Sequence, residues 1–213
     1  MTTRSLVAAA LTVAVASAGA TAAPAFRGGI SPLPAAVKAR MTPSVWRPGC
    51  PVPLNRLRRV VVTHRDFRGR VRRGIVVVNV DVAPRVLTAF RSLYEAGVPI
   101  RRMRPIEAYG GDDFRSIEAD NTSGFNCRAA TGSSRWSQHA YGRAVDVNPI
   151  ENPYVSGGTT SHRASVPYLD RSRARPGMAV EGGPLVAAFD AVGFQWGGRW
   201  SGIKDHQHFS VGG

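Results

Sequence analysis

Any fold this chain adopts must bring three residues from separate stretches to one point. His139 and Asp146 lie seven apart, and His208 arrives from sixty-two residues further on. They sit in the strings SQHAYGRAVDVNP and KDHQHFS. Two imidazoles and a carboxylate make a ligand set able to hold zinc while leaving a fourth position open for water. Open sites of this type are usually catalytic, because the metal lowers the pKa of bound water to about 7. Gly142 lies between the first two ligands, where a turn can bring the chain back, and Ala144 is small enough to pack beneath it. Taken singly these are weak signals, since an isolated surface histidine is usually only solvated.

The N-terminus bears on the compartment. Arg4 precedes an apolar run from Leu6 to Ala18, and Ala20-Thr21-Ala22 fits a small-residue cleavage signal. This reads as a secretory signal peptide over residues 1–22. The run falls short of the roughly 18–20 apolar residues of a membrane span, so no transmembrane anchor is expected after cleavage. A secreted, extracytoplasmic protein is expected. Proline and glycine without periodicity make 23–47 read as a flexible lead-in. Residues 48–213 are enough for one domain with its own core. The two cysteines, Cys50 and Cys127, would meet an oxidising environment, and a single bridge between them is the economical expectation.

Lysine and arginine number 28 against 14 acidic residues, a formal charge of +14 that becomes +13 when Arg4 leaves. Such an excess favours polyanions. For an exported protein the polyanion at hand is an anionic cell-wall polymer. The arginines are scattered and no nucleic-acid module accompanies them, so no nucleic-acid partner is expected.

The patterning predicts an α+β domain. β-branched runs at Arg59–Val62 and Gly74–Val80 flank Arg68-Gly69 and predict a hairpin with arginines at its exposed end. A helix should follow, with Asp81 as cap, Pro84 in its first turn, an apolar stripe of Val86, Leu87, Phe90 and Leu93, and Gly97 at its stop. Pro105–Tyr109 and Phe125–Arg128 read as short extended pieces. Val145–Val147 should be a strand with Asp146 pointing inward. Asn152–Met178 is long and polar, and its position after Asp146 suggests a flap over a cleft, with His162 exposed. Pro184–Gly193 reads as a second helix, and a last strand is expected around His206–Val211.

Ser137 to Asp146 fits S-x-H-x-x-G-x-A-x-D, and Asp205-His206-Gln207-His208 fits [D/E]-x-x-H. With these two motifs in this order, the chain from about Cys50 onward resembles the zinc DD-peptidases. These are the VanY-type D-alanyl-D-alanine carboxypeptidases and related peptidoglycan endopeptidases, whose zinc fold is shared with the Hedgehog signalling domain. The resemblance implies a small antiparallel sheet with helices packed on one side. It implies one zinc ion held by His139, Asp146 and His208, and the peptidoglycan stem peptide as substrate. It also implies that Asp205 is the general base, passing a proton from water to the leaving amine.

Other assignments stay open at this level. His206 is two residues from His208 and on a regular strand would share its face, making it a helper or an alternative base. Phe114-Arg115-Ser116 partly matches the family's G-Y-R-S segment, whose arginine steadies the oxyanion. Arg128 competes with Arg115, and either arginine could instead hold a terminal carboxylate. The Ser137 hydroxyl could contact substrate or merely form a turn. Trp136, Tyr141, Trp196 and Trp200 are candidate cleft walls, and Asn148 could support a ligand. A monomeric D-alanyl-D-alanine carboxypeptidase is the leading expectation. A peptidoglycan endopeptidase of the same family, or a non-catalytic zinc-stabilised wall-binding module, stands behind it.

Overall fold

The computed structural model describes residues 24–212, so the expected signal peptide lies outside the described residues. A three-stranded antiparallel sheet dominates the first half, in the order β1-β2-β3: Gly28–Pro32 (β1), Leu57–Arg65 (β2) and Val71–Asn79 (β3). The β2–β3 hairpin forms where the β-branched runs place it, with Val60 opposite Val76 and Val62 opposite Gly74. Alternation then assigns the faces. Val60, Val62, Val76 and Val78 enter one hydrophobic core, and Leu57 and Val77 enter another on the opposite side.

The second of these cores corrects the reading of 23–47 as a flexible lead-in. Gly28–Pro32 adds β1 to the outside of β2, and Ala35–Met41 forms a short helix, α1. Leu33, Val37, Met41 and Val45 are buried against Leu57 and Val77. The apolar residues in this stretch are too few to show periodicity in sequence, yet each lands on the uncovered face of the sheet. Burying each of them stabilises by about 1.5–3 kcal/mol relative to exposure.

Ala83–Glu95 (α2) covers the other face with Val86, Ala89, Phe90 and Leu93. Helices therefore pack on both sides of this sheet, not on one as expected. Asp81 does not cap α2; its carboxylate pairs with Arg143, 2.9 Å from Nε. The Cys50–Cys127 disulfide is formed and ties the approach to β2 to the stretch before His139.

The second half is assembled from shorter pieces. Arg102–Met103 (β4) pairs in parallel with Asn121–Thr122 (β5), on either side of the helix Asp113–Glu118 (α3). Pro105–Tyr109 is not a strand: Ile106–Tyr109 forms a 3₁₀ turn. A second three-stranded sheet contains Ala144–Asp146 (β6), Gln195–Trp196 (β8) and, between them, His208–Ser210 (β10). Tyr154–Val155 (β7) pairs with Lys204–Asp205 (β9). Pro184–Asp190 (α4) supplies Phe189, which stacks on Phe209 at 4.4 Å and meets Phe90 edge-on at 6.0 Å. The result is a mixed α/β domain of small, largely antiparallel sheets with few helices.

Where the sequence suggests a flap over 152–178, the two ends of the segment are anchored in the domain while 156–159 and 172–176 are exposed. Asn152 donates to the carbonyls of Val147 and Gly177, and Asn148 donates to those of Pro99 and Gly177. Arg171 donates to the Glu151 carbonyl at 2.7 Å and to Asn152 Oδ1 at 3.1 Å. His162, expected to be exposed, is buried against Phe114 and bonded to Glu118 at 2.7 Å. Asn148, Asn152, His162 and Arg171 read as loop polarity in sequence, but in the fold they bond buried carbonyl and carboxylate groups.

Candidate metal centre and active site

Strand register builds the site. In the antiparallel β6–β10 pair, His208 lies directly opposite Asp146, and Phe209 opposite Val145. Alternation sends Phe209 and Val145 into the core with Phe189 and puts His208 and Asp146 on the other face. The apolar partners thus fix the height and register of the polar ones.

His139 reaches the same face from the turn before β6. Gly142 closes that turn at φ +67, and its carbonyl accepts from Asn79 N–H at 2.8 Å, docking the turn on the end of β3. The imidazole Nδ1 lies 2.7 Å from the Gly124 carbonyl oxygen, which only a donor N–H can satisfy. That leaves Nε2 as an acceptor facing the other ligands. A Cβ on Gly124 would collide with the Val77 carbonyl oxygen, so only glycine lets this carbonyl reach its place.

The three donor atoms converge. His139 Nε2 is 3.1 Å from His208 Nδ1 and 3.1 Å from Asp146 Oδ2, and His208 Nδ1 is 3.1 Å from Asp146 Oδ1. All three residues are buried. A tetrahedral ion with bonds of about 2.0–2.1 Å would set its ligand atoms about 3.3 Å apart, so the spacing fits. Lone pairs from two imidazoles and a carboxylate at one buried point also call for a shared proton or a cation between them. Burial alone would raise the Asp146 carboxyl, but the facing imidazoles outweigh it and hold the group well below the usual carboxylate range. The donor set therefore fits a single metal ion.

Asp205 is beside this centre. A turn at His206–Gln207 separates β9 from β10, so the chain from Asp205 to His208 is not one regular strand. A Cβ on Gly197 would lie 3.1 Å from Asp205 Cβ and 3.3 Å from His208 Cβ, so the two residues flank one glycine. Burial, and then the nearby Asp146 carboxylate, push the Asp205 carboxyl up to about 6. Its Oδ1 is buried without a hydrogen-bond partner.

His206 sits on the same turn. Its ring lies 5.7 Å from that of Trp196, whose indole N–H donates to the His206 carbonyl. Burial, followed by the positive charges of Arg171 and Lys204, lowers this imidazole to about 4. The regular strand assumed for His206 and His208 is interrupted by this turn.

The two arginines also separate. Arg128 is partly buried and its charge is felt at His139; Nη2 is held by Asp113 at 2.9 Å. Arg115 is exposed on α3, and its backbone N–H is taken by the cap residue Asp112. Ser137 Oγ accepts from the His139 backbone N–H at 3.3 Å, a turn-forming contact. Trp200, 41% exposed, lies 5.3 Å from the His208 ring and forms one wall of the site. Asn148 holds Pro99 and Gly177, not a ligand. The Gly124 carbonyl had no signature in the sequence, because every residue has one.

A buried two-histidine, one-carboxylate set with a carboxyl group at its edge defines a candidate mononuclear metal site. Residues 131–211, which contain all three ligands and Asp205, match the family model described as D-alanyl-D-alanine carboxypeptidase. No curated protein and no solved structure matches the chain. The similarity to the zinc DD-peptidases is shown over the stretch that builds the site, and the family is one of zinc-dependent peptidases. Among the described residues no helix is long and apolar enough to cross a membrane.

Proposed function

We propose that the protein is a secreted zinc peptidase that hydrolyses a peptide bond in the peptidoglycan stem peptide, acting as a D-alanyl-D-alanine carboxypeptidase. The observation that carries this reading is the convergence of His139, Asp146 and His208 at 3.1 Å spacing, inside the stretch matched by the family. We place the domain in the zinc fold that these peptidases share with the Hedgehog signalling domain.

His139 Nε2, Asp146 and His208 Nδ1 would hold the ion. Zinc, when bound, polarises a carbonyl and makes water acidic near neutral pH. The Asp205 carboxylate, with its free buried Oδ1, takes the proton of the attacking water and returns it to the leaving amine nitrogen. A carboxyl group raised toward 6 suits that exchange, since it can both accept and give near neutrality. Arg128 is the arginine near enough to stabilise negative charge at the carbonyl oxygen or to hold a terminal carboxylate of the stem peptide. Ser137 positions His139, and His206 and Arg115 stay out of the chemistry. The positive charge draws the enzyme to anionic polymer of the wall.

The test is incubation of the mature, oxidised protein with stem pentapeptide ending in D-Ala-D-Ala and with digested peptidoglycan, followed by mass spectrometry. Loss of one alanine, stopped by a chelator and restored by zinc, is the expected result. Chelator-sensitive cleavage elsewhere would make it an endopeptidase. A protein with stoichiometric zinc and no product would be a wall-binding module.

A further inference from the structure

The tip of the β2–β3 hairpin gathers five arginines around an open depression of about 380 Å³: Arg68, Arg70, Arg72, Arg101 and Arg102. The site chemistry described above uses none of them. Their charge is sorted by depth. Asp66 is buried at the base, where Oδ1 accepts the backbone N–H groups of Arg68 and Arg70. Its Oδ2 accepts Arg70 Nε at 2.8 Å and Arg72 Nε at 3.2 Å. Because Nε is the atom engaged, both guanidinium forks keep their terminal nitrogens for a partner outside, and both side chains remain half-exposed.

Arg101 is fixed in the same manner. Its Nε bonds Asp120 at 3.0 Å and its Nη2 bonds Glu151 at 2.9 Å, while the guanidinium lies 4.0 Å over the Phe67 ring. Three guanidiniums are thus oriented before any ligand arrives, which lowers the entropic cost of binding. Arg68 and Arg102 are exposed and have no carboxylate partner among the described residues. Five guanidiniums therefore meet only three carboxyl groups, and all three are buried. Arg73, next along β3, lines a separate depression with Arg27, so a second positive surface lies on the same hairpin.

We infer that this pocket binds phosphate groups of a phosphodiester polymer of the cell envelope, and so holds the enzyme on its substrate layer. Guanidinium forks match phosphate oxygens in pairs, and a row of them suits a repeating anion. The inference rests on the proposed extracytoplasmic location, but its readout is binding, independent of hydrolysis.

The experiment follows a labelled glycerol-phosphate polymer by fluorescence polarisation with the mature protein at about 50 and about 200 mM salt. Arg68→Ala with Arg102→Ala should weaken binding at least about tenfold and reduce the logarithmic salt slope by roughly one and a half. Arg40→Ala with Arg56→Ala, equally exposed but near the opposite end of the nine-residue β2 from the tip, should leave binding within about twofold of wild type, since exposed charges more than a Debye length away are screened. Both double variants should cleave soluble stem peptide at the wild-type rate, and His208→Ala should bind polymer normally. Equal losses in the two double variants would make net charge the cause and overturn the pocket. Saturation by inorganic phosphate at the same phosphate concentration would reduce it to a simple ion site. Equal or tighter binding of a DNA oligonucleotide, lost with Arg68 and Arg102, would overturn the choice of polymer.

Discussion

The metal centre and the hairpin pocket both gather charge, and they do so in opposite senses. At the centre, His139, Asp146 and His208 are 2%, 6% and 6% exposed and face inward. At the hairpin, the carboxylates lie inside and the guanidiniums outside. Burial makes the first set demand a particular counter-ion, because an unpaired charge in that environment is costly. Exposure makes the second set demand only a sign and an approximate spacing, since water screens each contact. Loss of one residue should therefore be severe at the centre and graded at the pocket.

The largest expected effect tests the severe side. His208→Ala or His139→Ala should abolish stoichiometric zinc, read by metal analysis of the purified protein. Hydrolysis should fall by more than the roughly 10–100-fold typical of losing a group that only supports a ligand. Retained zinc in either variant would remove that residue from the ligand set. Asp205→Asn separates proton handling from metal binding. The variant should keep one zinc and lose about 10²–10⁴-fold in turnover. Near wild-type turnover would remove Asp205 from the mechanism and return attention to His206.

Stability offers a smaller effect, outside both regions. The Cys50–Cys127 bridge closes a loop of 77 residues. In the chain-entropy account such a loop is worth about 4.5 kcal/mol, and native bridges typically give about 2–5. Cys50→Ser with Cys127→Ser should lower the denaturation midpoint accordingly. Its bound zinc should be retained at temperatures where the variant is still folded, because neither sulfur touches the ligands.

How much of this was legible in sequence follows from how each contact is made. The convergence of His139, Asp146 and His208 was legible because side-chain chemistry at fixed spacing is written in the residue types themselves. The hairpin and α2 were legible from their periodicity. The turn at His206–Gln207 between Asp205 and His208 was not, because neither propensity nor motif encodes it. β1 and α1 were missed because their stability comes from the sheet they cover and not from their own pattern. That Arg128 is partly buried with its charge felt at His139, while Arg115 is exposed, depended on where the Cys127 segment docks, a tertiary fact. His162 and Arg171 look like loop polarity until their buried partners are seen.

The smallest effect joins the two regions. Arg101 reaches from the hairpin pocket to Glu151, which lies five residues past Asp146 and is fully buried. Burial first, and then the neighbouring Asp120 carboxylate, push Glu151 up to about 8 from 4.5, against the pull of Arg101. A carboxyl raised in the folded state binds its proton more tightly there than in the unfolded chain. Its contribution is therefore fully present below pH 4.5 and is lost as pH rises through about 8. Folding stability should decline between about pH 5 and pH 8 by at least about 1 kcal/mol, since each tenfold gain in proton affinity on folding is worth about 1.4 kcal/mol. Glu151→Gln keeps an acceptor for Arg101 and removes the titration, so its stability should be flatter across that range and exceed wild type at the alkaline end. Denaturant midpoints at several pH values read this directly. An unchanged slope in the variant would mean that Arg101 keeps Glu151 ionised throughout, and that hairpin and site are joined by a permanent buried ion pair.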